Sequence, residues 1–201
     1  MKYIADQFNS NTNIVQYACQ RNNLFVVTDG FSNTTSITPP SWDSGKSANS
    51  WGASAPYQTT ANGSLADLGL RYYTNRLRAS GPNALSAGRL PSGDPTRRNP
   101  DLNTDLHIAT YGITLGARGK LFPDASNPFA TDVFATPPTW PIPVADDPSM
   151  IDDLWHATVN GRGQMYLAGD AESLKLAAHE QVCLGHSNQP CFTKLLNGPA
   201  H

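Results

Sequence analysis

Within residues 151–166, IDDLWHATVNGRGQMY, the chain sets two carboxylates, a tryptophan, a histidine, an asparagine and an arginine. Residues of these types can move protons, or hold a metal through oxygen and nitrogen, if the fold makes them converge. Asp152 and Asp153 are adjacent, and neighbours on a helix point roughly 100° apart. They therefore read as charge at the start of a helix rather than as a paired acid and base, and Asp146 with Asp147 poses the same problem. His156 could serve as a catalytic base, but no serine or cysteine on a recognisable nucleophile elbow accompanies it. A hydrogen-bonded structural histidine is the favoured reading. Trp155 reads as core, and Asn160-Gly161 as a helix stop. Gly161 and Gly163 read as left-handed positions that let the chain leave a helix and enter a strand.

Asp29 is the other candidate. It follows the apolar run LFVV, and ligand crevices of open α/β sheets lie at the carboxyl ends of strands. With Gly30, Ser32 and Asn33 it could offer oxygen to a hard cation; capping a turn is the alternative. A metal-assisted hydrolase built on Asp29 is the competing function, and it needs two or three convergent ligands. A sugar-binding surface built from Trp42, Trp51 and Trp140 is a third reading, which rests on aromatics in loops.

The elements that must position these residues are legible from period and punctuation. Leu24 to Val27 is a short apolar run suited to a strand buried on both faces, preceded by a short helix in IVQYACQRN. SLADLGLRYYTNRLR, 64–78, has a helical stripe at Leu65, Leu68 and Tyr72, with Ser64 as N-cap and Asp67 at the third helical position. LHIATYGITLG, 106–116, reads as a strand. Ser149, Ile151, Leu154, Trp155 and Val159 mark a helix, GQMYLAG, 163–169, a third strand, and AESLKLAAHEQV a final helix capped by Asp170. Strand, helix, strand, helix, strand, helix is the alternation of a parallel sheet covered by helices, with three strands where five or six are usual.

The totals narrow the classes. A chain of 201 residues suits one domain. Fourteen basic against sixteen acidic residues leave a net charge of -2, which gives no general pull toward nucleic acid or anionic lipid. No apolar run reaches the length of a signal peptide core or a membrane span, so neither export nor membrane insertion is expected of the chain as written. Cys183 and Cys191 are the sterically easy disulfide, and unpaired thiols, with Cys19, the alternative.

Four segments carry a family resemblance: CQRNNLFVVTDGFSN (19–33), GSLADLGLRYYTNRLR (63–78), HIATYGITLGARG (107–119) and IDDLWHATVNGRGQMYLAGD (151–170). In this order they resemble the amino-terminal von Willebrand factor A-like domain of the PilC/PilY-type pilus-tip proteins, over about residues 17–176, with IDDLWHATVNGRG the most specific part. The resemblance implies a Rossmann-like α/β fold, a parallel sheet with helices on both faces. Here it would be partial, spanning 1–178, with a long insertion at about 31–62 and a divergent tail at 179–201. It also implies a non-catalytic role in type IV pilus biogenesis and adhesion at the cell surface, through contacts with pilus subunits or a host or surface ligand. In von Willebrand A domains a metal-ion-dependent adhesion site combines a D-x-S-x-S loop, a threonine and the Asp of a T-D-G. Only Asp29 corresponds, so the implied Mg or Ca site is degenerate. The strand that would pair with LFVV is expected upstream, which implies an exposed sheet edge, an uncovered apolar helix face and a marginal or self-associating chain.

Overall fold

The computed structural model describes residues 1–33, 54–58, 63–122, 132–169 and 175. In chain order the elements are α1 (Lys2–Ser10), β1 (Asn22–Thr28), α2 (Leu65–Thr74), β2 (Ile108–Thr114), α3 (Ser149–Asn160) and β3 (Arg162–Leu167). The strands form one parallel sheet in the order β1-β2-β3, with Leu24 opposite Thr110 and Gly112 opposite Met165. Each strand is thus joined to the next through a helix, as parallel pairing requires. Apart from Lys175, which is helical, the expected final helix at 171–182 lies outside the described residues, as do Asp170, the tail, Cys183, Cys191, Trp42, Trp51 and most of the 31–62 insertion. Cys19 is exposed and unbridged.

β2 is the centre of the sheet and is buried along its whole length, which is why IATYGIT shows no polar alternation. β1 lies at the edge of the described sheet. Leu24 and Val26 pack inward with α1, α2 and Ile108, while Phe25 (39 % exposed) and Val27 (52 %) face out. The expectation of a strand buried on both faces is therefore corrected: LFVV is apolar throughout, yet only alternate residues reach the core. Tyr111 stacks on Phe25 at 5.2 Å between ring centres and covers part of that outer face. All three described helices join the side that carries Leu24, Val26 and Ile108, so helices on both faces are not seen among the described residues.

α2 starts where the sequence reading puts it. Ser64 Oγ accepts the Asp67 N–H at 3.3 Å, and Asp67 Oδ2 accepts the main-chain N–H of Ser64 at 3.2 Å and of Gly63 at 2.7 Å, a reciprocal capping box. α3 is buried at all twelve positions and α2 at seven of ten, whereas α1 leaves Tyr3 (76 % exposed) and Ile4 (50 %) open. IVQYACQRN is not helical. Its turns are held by side-chain amides instead: Gln20 Nε2 donates to the Ile14 carbonyl at 2.7 Å, and Gln20 Oε1 accepts the Gln16 N–H at 3.0 Å. The helix near the amino end is α1, which buries Ala5 beside Leu68 and Tyr72 and ties Asp6 to the Tyr72 hydroxyl.

Candidate functional site

In the 151–166 segment Asp152, Asp153, His156 and Asn160 meet main-chain groups brought in from elsewhere. Asp153 Oδ2 accepts the Leu65 N–H at 2.8 Å and Oδ1 the Ala66 N–H at 3.1 Å. With Ser64 Oγ on the Asp67 N–H and Asp67 Oδ2 on the Ser64 N–H, all four N–H groups left open at the start of α2 are satisfied. Burial is the largest influence on Asp153 and outweighs those two N–H donors, lifting its pKa to about 6. Asp152 turns the other way, as the 100° offset requires. Its carboxylate takes the N–H groups of Lys120, Leu121 and Phe122 at 2.8, 3.0 and 2.8 Å and has no solvent exposure. Asp152 lies in the first turn of α3, where the sequence reading puts it as a helix-start charge, and the structure adds a second role for both carboxylates: each brackets a distant piece of backbone.

His156 is 1 % exposed, lies flat on Trp140 at 4.1 Å, and places Nε2 2.9 Å from the Tyr57 carbonyl. Desolvation dominates its titration and pushes the pKa down to about 3, so the ring is neutral and Nε2 donates. Trp155 is core, edge-on to both Phe122 and Trp140. Trp140 itself is 6 % exposed and donates Nε1–H to the Pro56 carbonyl at 2.6 Å, which removes it from any exposed sugar platform.

Where α3 turns into β3, Asn160 Nδ2 donates to the Ala66 carbonyl at 3.0 Å. Gly161 has φ -82, and the left-handed residue of the turn is Arg162, at φ 58. The glycines serve proximity instead. A Cβ on Gly161 would lie 2.6 Å from Thr110 Cβ, and one on Gly163 would collide with the Thr110 carbonyl. Arg162 is the residue that sequence reasoning missed. Its guanidinium lies over Tyr57 at 3.9 Å and Tyr73 at 4.6 Å and donates to the Asn160 carbonyl at 3.1 Å, closing the carboxyl end of α3. An arginine directly after a helix-stopping Asn-Gly is the available signal.

Asp29 stands exposed after β1. Thr28 Oγ1 is turned onto the Gly30 main chain, at 2.8 Å to O and 3.3 Å from N. Nearby, the Asp146 N–H reaches the Ser32 carbonyl at 2.9 Å, and Asp147 is committed to Lys120 Nζ at 2.7 Å and to the Ser149 N–H at 2.9 Å. Lys120 above all holds the Asp147 carboxyl down at about 2. Among the described residues no group of three His, Cys, Asp or Glu is placed to hold a metal. A Ca ion takes six or more oxygens and Mg keeps several waters beside one or two carboxylates; to such a set Asp29 brings one carboxylate.

At the opposite end of the sheet, a cleft of about 80 Å³ holds Asp101, His107 and Arg21. Asp101 Oδ2 lies 3.1 Å from His107 Nε2 and 3.5 Å from Arg21 Nη1, and His107 Nδ1 lies 2.7 Å from the Asp105 carbonyl. Burial raises the Asp101 pKa, but the hydrogen bond and charge of His107, with Tyr73 and Arg21, prevail and hold it below the ordinary carboxylate range. No serine, threonine or cysteine is among the described residues that line this cleft.

The chain is similar to the type IV pilus biogenesis factor PilY1 of Pseudomonas aeruginosa. It is 29 % identical over 177 residues to the protein of strain UCBPP-PA14, covering 79 % of this chain and 15 % of the relative. To that of strain PAO1 it is 25 % identical over 186 residues, covering 83 % and 16 %. The chain therefore spans about one-sixth of the length of these relatives. No family model matches it, and no solved structure does. No helix among the described residues is long and apolar enough to cross a membrane.

Proposed function

We propose that this chain is a non-catalytic surface module of a type IV pilus biogenesis and adhesion protein, working through protein contacts. We read its fold as a von Willebrand factor A-type unit. The likeness to PilY1 over most of the chain supports the pilus role. The observation that carries the non-catalytic reading is the commitment of the chemical groups in the 151–166 segment. Asp152 and Asp153 are spent on five main-chain N–H groups, and His156 is neutral, stacked and hydrogen-bonded to a carbonyl. None of the three is presented to a substrate.

The proposed partners are pilus subunits or a surface ligand outside the cell. Chemical cross-linking of the purified chain to sheared type IV pili of Pseudomonas aeruginosa tests this, with a saturable adduct to a pilus subunit as the expected product. Absence of any adduct from folded chain would contradict it. The cation that the T-D-G at Asp29 implies is not required for such contacts. Calorimetric titration with Mg or Ca, on wild type and Asp29→Ala, is expected to show no saturable heat that depends on Asp29.

A further inference from the structure

A groove of about 520 Å³ opens between the carboxyl ends of α1 and α2 and the loop after α2. Its fixed charges are largely engaged. Asp6 accepts from Lys2 Nζ at 2.6 Å and from the Tyr72 hydroxyl, while Arg78 donates to the carbonyls of Val15 and Asn83. Arg76 ties the loop by donating to the carbonyls of Leu85 at 2.7 Å and Ala79 at 3.0 Å. Of its uncharged polar groups, Ser10 donates to the Asp6 carbonyl at 3.0 Å and Thr74 to the Leu70 carbonyl at 2.9 Å, and only part of the rest is engaged. The side chains of Thr12, Asn75 and Asn83 enter no hydrogen bond among the described residues, and Asn9 uses Oδ1 on the Arg78 N–H, which leaves its NH₂ to donate.

Two helix carboxyl ends bring outward carbonyl acceptors to this groove, and the amides and guanidiniums bring donors, so the lining presents both in comparable measure. The groove holds three guanidiniums, Arg71, Arg76 and Arg78, against the Asp6 carboxylate; a cation would face the guanidiniums, and an anion would meet arginines already engaged on carbonyls or an aromatic ring, beside the negative ends of two helices. A peptide is recognised by a free sheet edge or an apolar side-chain pocket, and here the bulky apolar residues, Tyr72 and Leu77, are buried. Vicinal hydroxyls, each donating and accepting, are matched by amides that do the same. The volume lies in the range of about 300–1,000 Å³ usual for small-molecule sites.

We propose that this groove is a binding site for a neutral saccharide of about disaccharide length, held by Asn9, Thr12, Asn75 and Asn83. It does not depend on the pilus reading, because it rests on the lining of the groove alone. The test is an NMR titration of the whole 201-residue chain with lactose, N-acetyllactosamine, maltose and cellobiose. At least one sugar is expected to give saturable shifts centred on residues 9–12 and 75–83. The N75A/N83A double variant removes side chains that touch no hydrogen-bond partner, so its melting temperature should stay at the wild-type value. Its affinity should fall at least about tenfold, two neutral hydrogen bonds being lost. Silence toward all four sugars by the folded chain overturns the proposal. So does undiminished binding by the double variant, or shifts that appear there only with an extended peptide.

Discussion

Replacing Asp152 by asparagine removes one charge and one acceptor from a carboxylate that takes three main-chain N–H groups. Oδ1 serves Leu121 and Phe122 and Oδ2 serves Lys120, so an amide can keep its oxygen on one side only. Its NH₂ then points at a donor. Asp152 has no solvent exposure, and water cannot fill the gap. A hydrogen bond to a charged acceptor contributes about 1.5–3 kcal/mol, and a stranded buried donor costs about 1–3 kcal/mol. Because the three bonds share one group they do not add, and the expected loss is about 2–4 kcal/mol. Against a typical domain stability of about 5–15 kcal/mol, this is a drop of about 5–15 °C in Tm. Urea and thermal unfolding of D152N beside wild type measure it, with D29N as a control expected within about 0.5 kcal/mol, since Asp29 is exposed. A D152N variant as stable as D29N would refute the view that this carboxylate holds the 120–122 segment to α3.

His156 gives a pH signature. Its folded pKa, about 3, is depressed below the ordinary 6.5, so the stability of the neutral ring is fully present above pH 6.5 and is lost as the pH falls toward 3. Asp153, raised from 3.8 to about 6, runs the other way: its stabilisation is full below 3.8 and is lost as the pH rises through 6. The two oppose each other between about pH 4 and 6. Subtracting the stability of H156Q from that of wild type isolates His156, and the difference should shrink by about 1.4 kcal/mol per unit as the pH is lowered from 6.5; a pH-independent difference in urea titrations would contradict a buried neutral ring. Gly163→Ala drives a methyl into the Thr110 carbonyl and should cost about 3 kcal/mol or more in unfolding experiments; a loss under about 1 kcal/mol would show that β3 can move aside. Val27→Lys places a charge on the outer face of the edge strand and should lower any concentration-dependent association seen by sedimentation, whereas unchanged association would locate the contact elsewhere.

Much of the framework was legible because local signals and tertiary structure agree. Ser64 and Asp67 announce the start of α2, and the Ile151, Leu154, Trp155 and Val159 spacing announces α3, which forms over Ser149–Asn160; α2 itself stops at Thr74, short of the helical reading over 64–78, where Asn75 turns extended. α1 was not legible: its start at Met1 has no side-chain cap, and what holds it is contact with Leu68 and Tyr72, more than sixty residues away. The candidate site was identified as a segment, and its physics was read only in part. Adjacency correctly showed that Asp152 and Asp153 diverge, but nothing local says that each will find a distant backbone loop. A glycine specifies no reason for itself either. At 161 and 163 the reason is Thr110 on a neighbouring strand, and the positive φ falls on Arg162 instead. The Asp101, His107 and Arg21 cluster joins residues spread over more than eighty positions, which spacing alone could not assemble.

The most direct test of the pilus-module reading is an exchange. In Pseudomonas aeruginosa strain UCBPP-PA14, the segment of PilY1 that aligns with this chain is replaced by residues 1–169 of it, and surface pili are counted by electron microscopy beside strains carrying the native segment and lacking it. The exchanged strain is expected to be piliated well above the strain lacking the segment. A chimera produced at native levels, yet as bare of pili as that strain, would contradict it.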